Sequence, residues 1–220
     1  MRAGTARNPA ASPWQNAGPP QGHPPVRVCI YASSSDYAPA AYTDDATRLG
    51  VLLAQAGCEI VYGGGSRGSM GAIADGALSA GGKVIGILPR FMADLEWGHP
   101  GLTRLELVGD MRERKHLLLT GSDAVVALPG GSGTLEELFE AITLKRLGLY
   151  ANPILLLDTL GYWQTLLKFM DEQVIAQRFL NPEHRELWSR VARPEDVLPG
   201  IAAAPRWGEE ARSRAAVRPA

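Results

Sequence analysis

Apolar residues gather in six short, nearly unbroken runs, at 26–31, 58–62, 83–88, 104–108, 123–128 and 153–158. Such runs are the mark of strands buried on both faces. Between them the apolar positions recur at helical spacing. Tyr42, Ala46, Leu49, Leu53 and Ala56 form one stripe, and Gly57 stands where a helix stop belongs. A second helix is predicted over 72–80. A third opens at Asp110, whose side chain can cap while Glu113 reaches back at capping-box spacing. A fourth, over 134–149, turns Leu135, Leu138, Phe139 and Ile142 inward, and a fifth runs over 162–175.

Strand alternating with helix predicts right-handed βαβ units. The expected fold is α/β, a Rossmann-like doubly wound parallel sheet flanked by helices on both faces. No internal repeat is visible. Residues 26–204 make a single nucleotide-binding domain on this reading. Residues 1–25, with six of the 16 prolines, and 205–220, rich in Arg and Ala, read as mobile tails.

Composition narrows the function classes. Among 220 residues, 22 are Lys or Arg and 23 Asp or Glu, a net charge of −1. That balance speaks against a nucleic-acid-binding surface spread over the whole molecule. Cys29 and Cys58 make no disulfide framework and sit in apolar runs, as small core residues of a reducing compartment do. No apolar stretch reaches the ~20 residues of a membrane helix. The first residues lack the order of a signal peptide. A cytoplasmic protein with no membrane partner is expected.

Ligands of doubly wound folds bind beyond the carboxyl ends of the strands. The second strand runs into 63–71, Gly-Gly-Gly-Ser-Arg-Gly-Ser-Met-Gly, where Gly64 and Gly65 offer free amides at a helix start. Gly63, Gly65 and Gly68 match G-x-G-x-x-G. The acid that a dinucleotide site places at the tip of the next strand is missing, since Pro89 and Arg90 stand there. No Gly-Lys-Ser/Thr follows, so a P-loop is excluded.

The fifth strand ends in Pro129-Gly130-Gly131-Ser132-Gly133-Thr134. Gly130, Gly131 and Gly133 can present amides to a phosphate, and Thr134 a hydroxyl. Glu136 and Glu137 then stand in the first turn of the predicted helix. Complementing the helix dipole is their bland explanation, facing a ribose the functional one. Arg112, Arg114 and Lys115 form a basic cluster near another strand end, either a solvated face or phosphate ligands. The segment from Glu96 to Gly101 carries Trp97 and His99 in a loop that can overhang the pocket. His99 has no second His or Cys at metal spacing, so no zinc site is expected.

Residues 129–137 fit the signature P-G-G-x-G-T-x-x-E, and 111–115 fit its companion M-x-x-R-K. Over roughly 26–200 the chain resembles the Lonely Guy (LOG) family, cytokinin-nucleotide phosphoribohydrolases often labelled lysine decarboxylases. It departs from the family pattern at Tyr31-Ala32-Ser33-Ser34 and at Ser69.

The resemblance implies hydrolysis of the N-glycosidic bond of N6-substituted adenosine 5′-monophosphates, and of AMP, to free base and ribose 5-phosphate. It implies a catalytic pair, Arg114 and Glu137. Around a nucleoside monophosphate it sets Glu96, Lys115, Gly130, Gly131, Gly133, Thr134 and Glu136. It also implies a homodimer and no cofactor. A carboxylate suits the positive charge that develops on the sugar. An arginine, always protonated, is a poor proton donor and steadies phosphate or departing base instead. The alternative is a nucleotide sensor or carrier that performs no turnover. Lysine decarboxylation would need pyridoxal phosphate on one of four lysines, of which only Lys115 is near the expected site.

Overall fold

A computed structural model describes residues 26–95, 97–208 and 211–216. The expected tail at 1–25 lies outside the described residues.

All six expected strands form, each within one residue of its expected ends: β1 (Arg27–Tyr31), β2 (Glu59–Tyr62), β3 (Lys83–Pro89), β4 (Arg104–Val108), β5 (Ala124–Ala127) and β6 (Ile154–Leu157). A seventh, β7 (Ser189–Val191), pairs Leu155 with Ser189 at one edge. Three residues with one apolar side chain give no run to detect, because an edge strand needs no double burial. The order is β4-β3-β2-β1-β5-β6-β7, with every adjacent pair parallel. The order reverses between β1 and β5, which makes that seam the switch point where ligands of such sheets bind.

Alternate residues of β1 feed two cores. Val28 and Ile30 face α1 (Ala40–Gln55) and α2 (Gly68–Ser79), through Leu49, Leu53 and Ile73. Cys29 and Tyr31 face the layer of α4 (Met111–Leu119) and α5 (Ser132–Arg146), through Leu118, Leu138 and Ile142. A short α3 (Arg90–Ala93) follows β3, and α6 (Gln164–Phe169) continues into a wider turn over Met170–Ile175. The helix α7 (Val197–Ala203) covers β6 on the first face.

Helix α1 stops as expected. Gly57 adopts φ +73°, and the N–H groups of Gly57 and Cys58 reach back to Ala54 and Leu53 at 2.9 and 3.0 Å. Helices α1 and α2 meet at two glycines: a Cβ on Gly50 would lie 2.3 Å from the Ile73 carbonyl, and one on Gly76 2.2 Å from that of Thr47. Asp110 caps α4 through the Arg112 and Glu113 amides at 2.8 and 2.9 Å. Glu113 reaches back one residue further than expected, to the Gly109 amide at 2.7 Å.

The segment expected to be a tail from 205 on is corrected over its described part. Trp207 is 2% exposed and closes the core beneath α5, and its amide donates to the Ala151 carbonyl at 3.1 Å. His184 and Asn181 hold the following α8 (Ala211–Arg214) by the Arg214 carbonyl, at 2.9 and 3.3 Å. Sparse apolar content hid a segment whose docking rests on one tryptophan and on backbone carbonyls.

Candidate active site

A cleft of about 920 Å³ opens beyond the carboxyl ends of β1, β2, β3 and β5. Its floor is built by α4 and α5. Helix α5 begins at Ser132, with Gly131 as N-cap, two residues earlier than the periodicity predicts. Glu136 and Glu137 therefore stand in the second turn, not the first as expected. A role limited to the helix dipole, which fades beyond the first turn, loses its basis.

The two acids diverge because neighbours on a helix point about 100° apart. Glu137, three residues after the buried Thr134, turns toward the sheet, and its side chain is 12% exposed. Glu136 and Glu140, four apart, turn toward α4 and share Lys115. The ammonium of Lys115 pairs with both, reaching Glu140 at 2.9 Å.

Arg114 is 8% exposed and tied to two strand ends. Its Nε donates to the Ile87 carbonyl at 3.1 Å and Nη2 to that of Gly63 at 3.0 Å. A Cβ on Gly63 would come within 2.1 Å of Nη2, so that glycine makes room for the guanidinium. The remaining Nη1 faces Glu137 Oε1 at 3.9 Å. Burial pushes the Glu137 carboxyl up from 4.5 to about 7. Arg114 and Lys115 restrain that rise, while Glu136 and Glu140 add to it. The cleft thus holds an acid poised to change charge near neutrality.

The bend after β5 supplies uncovered backbone. A Cβ on Gly131 or Gly133 would meet nothing within 4 Å, so packing does not demand glycine there and the amides stay accessible. Gly130 is different: a Cβ would lie 2.1 Å from Thr134 Oγ1, and its carbonyl accepts from the Tyr162 hydroxyl. The opposite wall pairs Gly65 with Gly98, where the Ser66 amide donates to the Trp97 carbonyl at 3.2 Å. His99, paired with Asp75 at 3.1 Å, holds that loop against α2.

Of the residues expected at the site, Arg114, Glu137, Glu136, Thr134, Gly131, Gly133 and Gly65 line the cleft. Gly130 packs just behind it, and Gly64, at φ +80°, turns the chain against Leu88 and Leu105. Lys115 lies outside, in a small polar recess with Asp110 and His116. Glu96 falls outside the described residues, although Leu95 and Trp97 on either side of it line the cleft. Sequence reasoning passed over Ser33, Ser34 and Ser35 as ligand-facing groups. Their place directly after β1, at the seam with β5, was the available signal. Among the described residues no group of three or more His, Cys, Asp or Glu could hold a metal ion.

A family model described as possible lysine decarboxylase matches residues 70–201. A probable cytokinin riboside 5′-monophosphate phosphoribohydrolase of Oryza sativa subsp. japonica is 43% identical over 162 residues, 74% of this chain and 71% of the relative. A cytokinin riboside 5′-monophosphate phosphoribohydrolase of Arabidopsis thaliana is 38% identical over 194 residues, 84% of this chain and 85% of the relative. Among solved structures, a structural-genomics X-ray structure superposes with a TM-score of 0.61 and 29% identity, over 80% of this chain and 96% of that one. The molybdenum cofactor carrier protein of Chlamydomonas reinhardtii shares the fold, with a TM-score of 0.63 at 21% identity over 82% and 98% of the two chains.

Proposed function

This chain belongs to the Lonely Guy family of cytokinin riboside 5′-monophosphate phosphoribohydrolases, and we propose that it hydrolyses the N-glycosidic bond of N6-substituted adenosine 5′-monophosphates, and of AMP, to free base and ribose 5-phosphate. The observation that carries this reading is Glu137, its side chain only 12% exposed, facing Arg114 in the cleft that the open Gly131–Thr134 bend also lines.

In this mechanism the phosphate takes the free amides of Gly131 and Gly133 and the hydroxyls of Thr134 and the serine loop after β1. The ribose then lies over Glu137, with its hydroxyls toward Glu136. As the C1′–N9 bond breaks, its electron pair leaves with the base, which takes its proton from solvent water, and positive charge builds on the sugar. The Glu137 carboxylate faces that charge, orients the attacking water and takes its proton. A fixed anion in a site withdrawn from water stabilises such a state far more than one in solution. Arg114, committed to two carbonyls, acts by favouring the ionised form of Glu137. The base rests toward Met92, Leu95 and Trp97, an apolar wall suited to an N6 substituent.

Lys115 orders the outer face of α5 and meets no ligand on this reading. None of Lys83, Lys115, Lys145 and Lys168 lines the cleft, so a lysine-bound pyridoxal phosphate has no seat there. Phe91, Leu95 and Trp97, each about half exposed on α3 and the segment just after it, offer a face that a second copy of the chain covers, making the protein a homodimer. No described helix is long and apolar enough to cross a membrane, and two buried free thiols suit the cytoplasm.

The test is direct. Purified protein is incubated with N6-isopentenyl-AMP and with AMP, and free base and ribose 5-phosphate are quantified. Intact nucleotide after long incubation would leave the sensor or carrier reading in its place.

A further inference from the structure

A nucleoside 5′-monophosphate brings between about 1.5 and 2 negative charges into a cleft that already contains Glu136 and Glu137. The two cations that face Glu136 and Glu137 are committed. Arg114 donates Nε and Nη2 to backbone carbonyls and turns Nη1 to Glu137. Lys115 lies outside, between Glu136 and Glu140. One other cationic side chain lines the cleft among the described residues, that of Arg67.

Arg67 is the N-cap residue of α2, on the bend after β2. Its side chain is 76% exposed, and Nη1 meets Asp36 Oδ2 at 3.2 Å. Asp36 Oδ1 also accepts from the Gly68 amide at 2.9 Å. A carboxylate of the chain itself therefore occupies donors that a phosphate oxygen seeks, one N–H group of a guanidinium and the first amide of a helix. β1 lies between β2 and β5. The serine loop after β1 consequently stands between the Arg67 bend and the Gly131–Thr134 bend, and all three line one cleft.

We propose that Arg67 exchanges its exposed partner Asp36 for the 5′-phosphate of the substrate and so selects nucleoside monophosphates over nucleosides. A guanidinium carries five N–H donors, and an ion pair this open to water is weakly held. The exchange costs little and delivers a charge-assisted contact to a dianion. The inference rests on the nucleotide reading of the cleft but adds a residue that the family motifs do not include.

Binding of ribose 5-phosphate, AMP and adenosine is measured by calorimetry on the full chain and on Arg67→Ala, Arg67→Lys and Asp36→Asn, alongside steady-state turnover of AMP. Arg67→Ala weakens ribose 5-phosphate and AMP about tenfold or more, leaves adenosine unchanged, and raises KM without lowering kcat. Arg67→Lys falls between. Asp36→Asn keeps an oxygen for the Gly68 amide, removes the competing charge and tightens AMP. Wild-type affinity for both phosphates in Arg67→Ala, or weaker AMP binding in Asp36→Asn, overturns the proposal. The two readings fail separately. A wild-type protein that binds AMP through Arg67 yet releases no base keeps this assignment and loses the hydrolase. One that hydrolyses AMP with KM unmoved by Arg67→Ala does the reverse.

Discussion

Arg114 and Glu137 face each other across the floor of the cleft, Nη1 to Oε1 at 3.9 Å, with side chains 10% and 12% exposed. That separation is too long for a hydrogen bond and short enough for the guanidinium to act on the carboxyl through charge. Burial still wins, since it is the largest influence on Glu137 and the group settles at about 7.

Turnover of AMP should therefore gain an alkaline preference. kcat/KM rises as the pH passes through about 7, because the proposed chemistry uses the carboxylate. Arg114→Gln removes the cation that restrains the shift and moves this limb to higher pH, besides slowing the reaction. Rate profiles from pH 5 to 9.5 for both proteins test it. A limb at the same pH in each would show that Glu137 is not the titrating group.

Glu137→Gln separates catalysis from stability. It preserves shape and should lower kcat by about a hundredfold or more with KM nearly unchanged, since the carboxylate acts mainly in the transition state. Its effect on folding has the opposite sign. A carboxyl raised from 4.5 to about 7 favours the fold while protonated, and that contribution is lost as the pH climbs through 7. At pH 8.5 the ionised acid costs the native state up to about 3 kcal/mol, which glutamine does not incur. Melting curves should show Glu137→Gln stabilised at pH 8.5 and close to wild type at pH 4.5.

Adjacent glycines in the β5 bend should respond differently. Gly131 has φ −83° and open space at its Cβ position. Gly131→Val costs less than about 1 kcal/mol in folding as an N-cap change, yet its side chain enters the cleft mouth and abolishes AMP binding. Gly130→Ala collides with Thr134 and costs about 1–3 kcal/mol. Chemical denaturation and nucleotide titration of both variants distinguish a ligand-facing glycine from a packing one.

Trp207 should behave as a core residue. Fully buried between His184 and Arg214, with ring distances of 5.9 and 5.0 Å, it costs about 3–5 kcal/mol when cut to alanine. Urea unfolding measures this, and a loss under 1 kcal/mol would return the segment to the status of a tail.

Much of this was legible beforehand where one local rule sufficed. A strand buried on both faces must be apolar throughout, so the runs containing Val28–Tyr31 and Ile154–Leu157 declared themselves. The Gly57 stop and the Asp110 cap follow from backbone groups within a few residues. The bend at 129–134 is local too, because Gly130 is required by Thr134 only four residues on, where a Cβ would strike its hydroxyl.

What escaped depended on which way a helix rolls. Arg114 and Lys115 are neighbours in sequence, yet one lies under the cleft and the other outside it. Glu136 and Glu137 part in the same way. A step of about 100° per residue sends adjacent side chains to different surroundings, and the docking of α4 and α5 on the sheet chooses between them. The chain's own residue order thus determined the strands, their alternation with helices and the glycine bend, because each needs only nearby atoms. Tertiary structure alone decided which acid is buried, which cation is locked to carbonyls and that Trp207 is interior, because those outcomes rest on partners tens of residues away.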